Sequence, residues 1–160
     1  MKAVIVDTQW GMPIMLGEKK AEWRPWAPEY RGDLLICTSQ QQWPYNISGH
    51  ALCVVNMAEI RPMKRRLLKK TLLQQMPRPA GYAWMFSDVR WIKPFKVKEA
   101  VRLFDVDDSK IEYIGSDMKS SEALVEYFEP LMTWSNSKIE EKEVRKWWAY
   151  LLQTYRGMKD

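Results

Sequence analysis

The chain has 160 residues, 46% of them hydrophobic, and a formal net charge of +5. This length suits one domain with a real core, and the apolar share argues against disorder. No apolar run of about 18 residues is present, so no membrane-spanning helix is expected, and the opening stretch 1–10 lacks the apolar centre and small-residue cleavage site of a secretory signal.

Residues 2–6 read as a short strand. A short helix is predicted over 9–16, opened by Thr8 as its cap and limited by Pro13. Strands are expected at 21–24 and 33–38, with Pro25 and Pro28 enforcing an extended loop between them. Residues 39–45 form a polar loop with an aromatic tip, and 50–60 read as a long central strand. The stretch 62–76 has helical spacing, with Leu68, Leu72 and Met76 on one side, and Pro77 and Pro79 end it. A strand over 82–92 is turned by Lys93-Pro94-Phe95, and 101–106 and 110–114 suggest two more. A helix over 120–132 aligns Leu124, Phe128, Leu131 and Met132, with Pro130 weakening its last turn. Ser137 and Glu140 read as a capping box for a final helix. Its Val144, Trp147, Trp148, Leu151, Leu152 and Tyr155 form an apolar stripe that must be buried, on the rest of the chain or in a dimer. Cys37 and Cys53 fall in apolar strand-like runs and are expected as buried free thiols of a cytoplasmic protein. Asn46-Ile47-Ser48 fits the glycosylation pattern, which has no meaning in that compartment.

The stretch from Gly17 to Arg24 is the most informative. Gly17, Lys19, Glu22 and Arg24 stand at the spacing G-x-K-x-x-E-x-R, and Tyr30-Arg31-Gly32-Asp33-Leu34-Leu35-Ile36 follows. With 21–24 extended, alternation puts Glu22 and Arg24 on one face and Trp23 on the other. Gly17 can take the positive φ that a turn before a strand often needs. Lys19 joins at the loop-to-strand junction, so three ionisable groups converge. Such a lysine can bind phosphate as a fixed charge, or act as acid or base if burial and the guanidinium lower its pKa. The same three residues also suit an ordinary ion-pair network at a strand end.

This spacing, with the run 30–36 behind it, resembles the signature of the ASCH domain, a branch of the PUA-like superfamily, over residues 1–106. The resemblance implies an α+β fold with a small mixed PUA-like β-barrel and flanking helices over 1–108, and the helical spacing beyond it reads as a C-terminal helical extension, 109–160, packed on the barrel. The resemblance also implies a ligand cleft lined by the motif. One branch of the family resembles an amidohydrolase of acylated cytidine, with a threonine nucleophile where this chain has Glu22. No Ser or Thr lies between Lys19 and Arg24, so that mechanism lacks its nucleophile here. Another branch is linked to RNA cleavage, for which Lys19, Tyr30, Arg31 and His50 are the available acid–base and phosphate-binding groups.

Charge is uneven along the chain. Residues 1–98 hold 16 Lys and Arg against 7 Asp and Glu, whereas 99–160 hold 9 against 13. Arg61, Lys64, Arg65, Arg66, Lys69, Lys70 and Arg78 follow one another with no acid between Glu59 and Asp88. In a helix, Arg65, Arg66, Lys69 and Lys70 share a side. A polyanion is the natural counterpart of that side, and a plain solvated face is the alternative. Among the nine tryptophans, Trp23, Trp26 and Trp43 join Tyr30 and Tyr45 in or beside polar loops near the motif. Trp26 and Trp43 are the best candidates to stack on a base. His50, the single histidine, reads as structural. No metal site and no cofactor are implied.

The leading expectation is a monomeric, cytoplasmic, nucleic-acid-binding protein for RNA or single-stranded DNA, with no membrane role. Lys19 and Arg24 would hold phosphate or a base edge, Glu22 would orient them or accept from a base amino group, and Trp26 or Trp43 would stack. Arg31, Arg65, Arg66, Lys69 and Lys70 would meet phosphates. The alternative is a hydrolase, either a ribonuclease or a modified-nucleoside amidohydrolase, using Lys19 and Glu22. A third reading is protein interaction or dimerisation through the 144–155 helix.

Overall fold

The computed structural model describes residues 1–133. The helix expected after Ser137, with Trp147 and Trp148, lies outside the described residues. In chain order the elements are β1 (Lys2–Val6), α1 (Thr8–Met15), β2 (Ala21–Arg24), β3 (Gly32–Thr38), β4 (His50–Pro62), a 3-10 turn (Arg65–Leu67) running into α2 (Leu68–Thr71), β5 (Tyr82–Lys96) and β6 (Phe104–Asp105). A 3-10 turn (Asp108–Lys110) and then α3 (Ser120–Ala123) follow, the latter continued by a π-helical turn (Leu124–Phe128) and a 3-10 turn (Glu129–Leu131).

The strands form one mixed sheet of order β2-β5-β4-β3-β1-β6. Only β1 and β3 run parallel. The fold is α+β as expected, but the expected barrel is not closed. β2 and β6 are the two edges of the sheet, and no ladder joins them. The sheet nonetheless curls far enough for Arg24 on β2 to donate to the Ile5 carbonyl on β1 at 2.5 Å. Bulges bend strands, and the β4–β5 ladder shifts register at three places between Ala51 and Glu59. β2 is only four residues long, and all four pair with β5. A side chain therefore spans the gap that a backbone ladder would close.

β3 is covered on both faces, which explains its unbroken apolar run. Leu34 and Ile36 join one cluster with Val4, Val6, Met12, Trp84 and Phe128. Leu35 and Cys37 face a second cluster with Ala3, Ala51 and Ile92. Both cysteines are buried and free. Burial pushes the Cys37 thiol up to about 12 and Cys53 higher still. A third, smaller cluster sets Ala21 and Ala83 against Met63 and Leu67.

Several local expectations change. The helix predicted over 62–76 shrinks to 65–71. Pro62 is held in β4 opposite Tyr82. The Lys70 carbonyl accepts from Lys20 N and the Thr71 carbonyl from Lys19 Nζ, so neither is left to extend the helix, and Leu72 turns left-handed at φ 60°. Pro94 does not end β5, which continues to Lys96. Between the pairs Cys53↔Trp91 and Ala51↔Phe95, β5 advances further than β4, and this bulge accommodates a residue with no N–H. The strand predicted at 101–106 is reduced to two residues, and 110–114 contributes one bridge, Tyr113 to Ile92. The 120–132 region is helical but changes hydrogen-bond type twice, while Leu124, Phe128 and Met132 are buried as predicted. Asp7 rather than Thr8 precedes the first turn of α1. Thr8 Oγ1 instead bonds the carbonyls of Ser39 and Gln41.

Candidate functional site

The site begins where α1 stops. Gly17 sits at φ +80 in open space, so its requirement is conformational. Its N–H donates to Ile14 O, and Glu18 N donates to Pro13 O. This is the paired closure of a helix ending in a left-handed glycine. Lys19 N also reaches Pro13 O at 3.0 Å, which fixes the lysine at the start of β2.

Lys19 is only 2% exposed. Its ammonium donates to the Thr71 carbonyl, lies 3.5 Å from Glu22 Oε1 and stands 4.4 Å from the centre of the Trp10 ring. Glu22 is 5% exposed, and its other oxygen accepts from Arg24 Nη2 at 3.2 Å. Arg24 also lies over Trp84. Its side chain is 25% exposed, and both of its hydrogen bonds described above use Nη2. A guanidinium has five N–H donors, so Arg24 is the member of the cluster best placed to offer donors to a ligand.

A pocket of about 360 Å³ opens on these groups, lined also by Asp7, Pro25 and Leu73. It holds two cations, Lys19 and Arg24, against two carboxylates, Glu22 and Asp7, so its charge is close to balanced. A carboxylate acceptor beside a guanidinium donor matches the edge of a polar heterocycle better than it matches a phosphate. Trp10 and Thr71 complete the shell of Lys19, and neither stands in a recognisable motif.

Burial lowers the Lys19 pKa, and Arg24 adds to this, while Glu22 opposes it. Between that lowered value and the ordinary 10.5, the unfolded chain binds more protons at Lys19 than the folded one. The stability contributed by this group therefore rises with pH across that window and falls as pH drops through the folded value. Urea unfolding of the wild type and Lys19→Met from neutral pH to 10.5 checks this. The wild type should gain on the variant as pH rises, and a constant difference would contradict the lowered pKa.

Lys19, Glu22 and Arg24 are thus brought together, and the other candidates are distributed around them. Trp26 packs edge-on against Trp84 at 5.0 Å, and Arg102 covers its ring at 4.7 Å. Trp43 lies in the loop whose Tyr45 and Asn46 bond Thr133, and it does not line the pocket. Arg31 donates to the carbonyls of Pro28 and Tyr30 and is also outside the pocket. His50 Nδ1 lies 2.7 Å from Ser48 O. Arg66, Lys69 and Lys70 are exposed around α2. Arg65 lines a neighbouring depression with Trp23 and Arg78.

A sequence model of the ASCH domain matches residues 4–156, beyond the segment 1–106 that carries the motif resemblance. No curated protein matches the chain. The crystal structure of ASCH from Zymomonas mobilis superposes with a TM-score of 0.55 at 14% identity, covering 68% of this chain and 89% of that one. A serine-to-alanine mutant of the Zymomonas mobilis protein gives 0.51 at 11% identity, over 68% and 89% of the two chains. A tyrosine-to-phenylalanine mutant gives 0.51 at 11%, over 68% and 91%. At these identities the likeness establishes the fold. Among the described residues, no helix is long and apolar enough to cross a membrane.

Proposed function

The chain belongs to the ASCH domain family, and from that premise we propose that it binds RNA or single-stranded DNA in the cytoplasm, holding a base edge in the Lys19–Glu22–Arg24 cleft. The observation that carries this reading is the buried carboxylate fixed between two cations at the pocket floor. Glu22 is oriented to accept from a base amino group, and Arg24 keeps donors for a ring nitrogen or carbonyl. Lys19 is engaged by Thr71, Glu22 and Trp10, so it acts as the clamp that positions Glu22. The exposed basic residues around α2 would add salt-dependent attraction to phosphates.

The test is fluorescence anisotropy with labelled single-stranded RNA and DNA at two salt concentrations, followed by a denaturing gel of the recovered oligonucleotide. Salt-sensitive binding, weakened on the order of tenfold in Arg24→Ala by loss of one bidentate contact, is the expected result. Unchanged affinity in both Arg24→Ala and Lys19→Met would exclude the cleft. A second reading, hydrolysis of the bound strand or of a modified nucleoside, is favoured by the lowered pKa of Lys19, which makes its ammonium a better proton donor than an exposed lysine. It predicts a shortened oligonucleotide or nucleoside turnover that Lys19→Met removes with the fold intact.

A further inference from the structure

We propose that the depression formed by Trp23, Leu68, Leu73, Met76, Arg65 and Arg78 is a second subsite, taking the nucleotide that flanks the one held in the cleft. It rests on the cleft reading above. Trp23 and Leu73 line both spaces, so the two are neighbours at the β2 edge. Strand alternation produces this arrangement: Glu22 and Arg24 point to one side of β2, and Trp23 points to the other. The depression encloses about 800 Å³ against about 360 Å³ for the cleft, within the size range of small-ligand pockets.

Its chemistry complements that of the cleft. The cleft balances its charges and offers a phosphate little net attraction. The depression has apolar, partly buried walls in Leu68, Leu73 and Met76. Arg65 and Arg78 stand exposed beside them, and neither forms an ion pair among the described residues. No acidic residue occurs between Glu59 and Asp88 to neutralise them. Trp23 Nε1 donates to Ala80 O at 2.7 Å, which fixes the indole. A fixed aromatic ring with flanking cations is what a sugar–phosphate and its base require in a single-stranded site. One strand crossing the β2 edge would place a base in the cleft and its neighbour against Trp23, with Arg65 and Arg78 on the phosphates.

The experiment uses the full chain and a labelled random-sequence single-stranded RNA hexamer, titrated at several salt concentrations. The variants are Arg65→Ala/Arg78→Ala, the equal-charge control Lys98→Ala/Lys110→Ala, Lys19→Met and Arg24→Ala, each with a thermal melt. The expected result is a loss on the order of tenfold in Arg65→Ala/Arg78→Ala, with the log–log salt slope reduced by about 1.4, since each single-strand phosphate contact contributes about 0.7. The control pair should bind like wild type. If the arginine pair loses no more than the control while Lys19→Met weakens binding, the subsite is wrong and the cleft reading stands. If Lys19→Met and Arg24→Ala both bind like wild type, the cleft reading falls and the subsite with it. A lowered melting temperature with unchanged affinity in the arginine pair would assign the depression to a protein segment and overturn the proposal.

Discussion

Glu22→Ala is expected to destabilise the protein by about 3–5 kcal/mol and to abolish binding in the cleft. Removing one member of a buried ion pair costs that much because the remaining charge is left desolvated and uncompensated. Here the stranded charge is Lys19, which is 2% exposed and would retain the Thr71 carbonyl, the Trp10 ring and the more distant Asp7 carboxylate. Arg24 is different: its side chain is 25% exposed, so water can solvate it. The penalty therefore falls on the lysine side. Glu22→Gln should cost less, since the amide oxygen still accepts from Arg24 and its shape is unchanged. Lys19→Met/Glu22→Leu should recover most of the loss, because replacing both partners by apolar groups leaves no orphaned charge. Urea unfolding of the three variants checks the order. A cost below about 1 kcal/mol for Glu22→Ala, typical of exposed pairs, would mean that the cluster is not desolvated.

Trp84→Ala is expected to cost about 3–5 kcal/mol for a different reason, the cavity left by a fully buried aromatic. Trp84 is 0% exposed and pairs directly with Glu22 across the β5–β2 ladder, so the two side chains share a face. Its Nε1 donates to Trp26 O at 3.1 Å, and its ring supports Trp26 at 5.0 Å and Arg24 at 5.8 Å. Losing it removes the ring that backs Arg24, so affinity should fall with stability. Trp84→Phe keeps most of the packing and orphans only the Trp26 carbonyl, at a cost of about 1–3 kcal/mol. That variant should still bind. If Trp84→Ala folds with wild-type stability, the β2 edge is not anchored through this residue.

The parts of the site legible in the chain are those set by nearest neighbours. Gly17 announces a turn of positive φ before β2, and the structure uses it to close α1 onto Pro13 and Ile14. Alternation over 21–24 separates Glu22 and Arg24 from Trp23, and the strand keeps that separation. Trp10 and Thr71 were not legible, since neither stands at a spacing that marks it as a partner of Lys19. The extent of α2 was not legible either. Leu68, Leu72 and Met76 repeat at helical spacing, yet the carbonyls that would continue the helix are taken by Lys19 and Lys20.

The sequence by itself determined the turn at Gly17 and the facing of the charged motif, because each depends on backbone conformation within a few residues, and the resemblance of that motif carried the family and with it the α+β class. Tertiary structure decided the rest. It left the sheet open, with Arg24 reaching Ile5 where a barrel would have a ladder. It buried Lys19 against a carbonyl 52 positions away, covered Trp26 with Arg102, and set the Arg65–Arg78 depression beside the cleft, with Trp23 and Leu73 lining both. These outcomes depend on which distant segments meet, and burial and desolvation energies arise only once they have met.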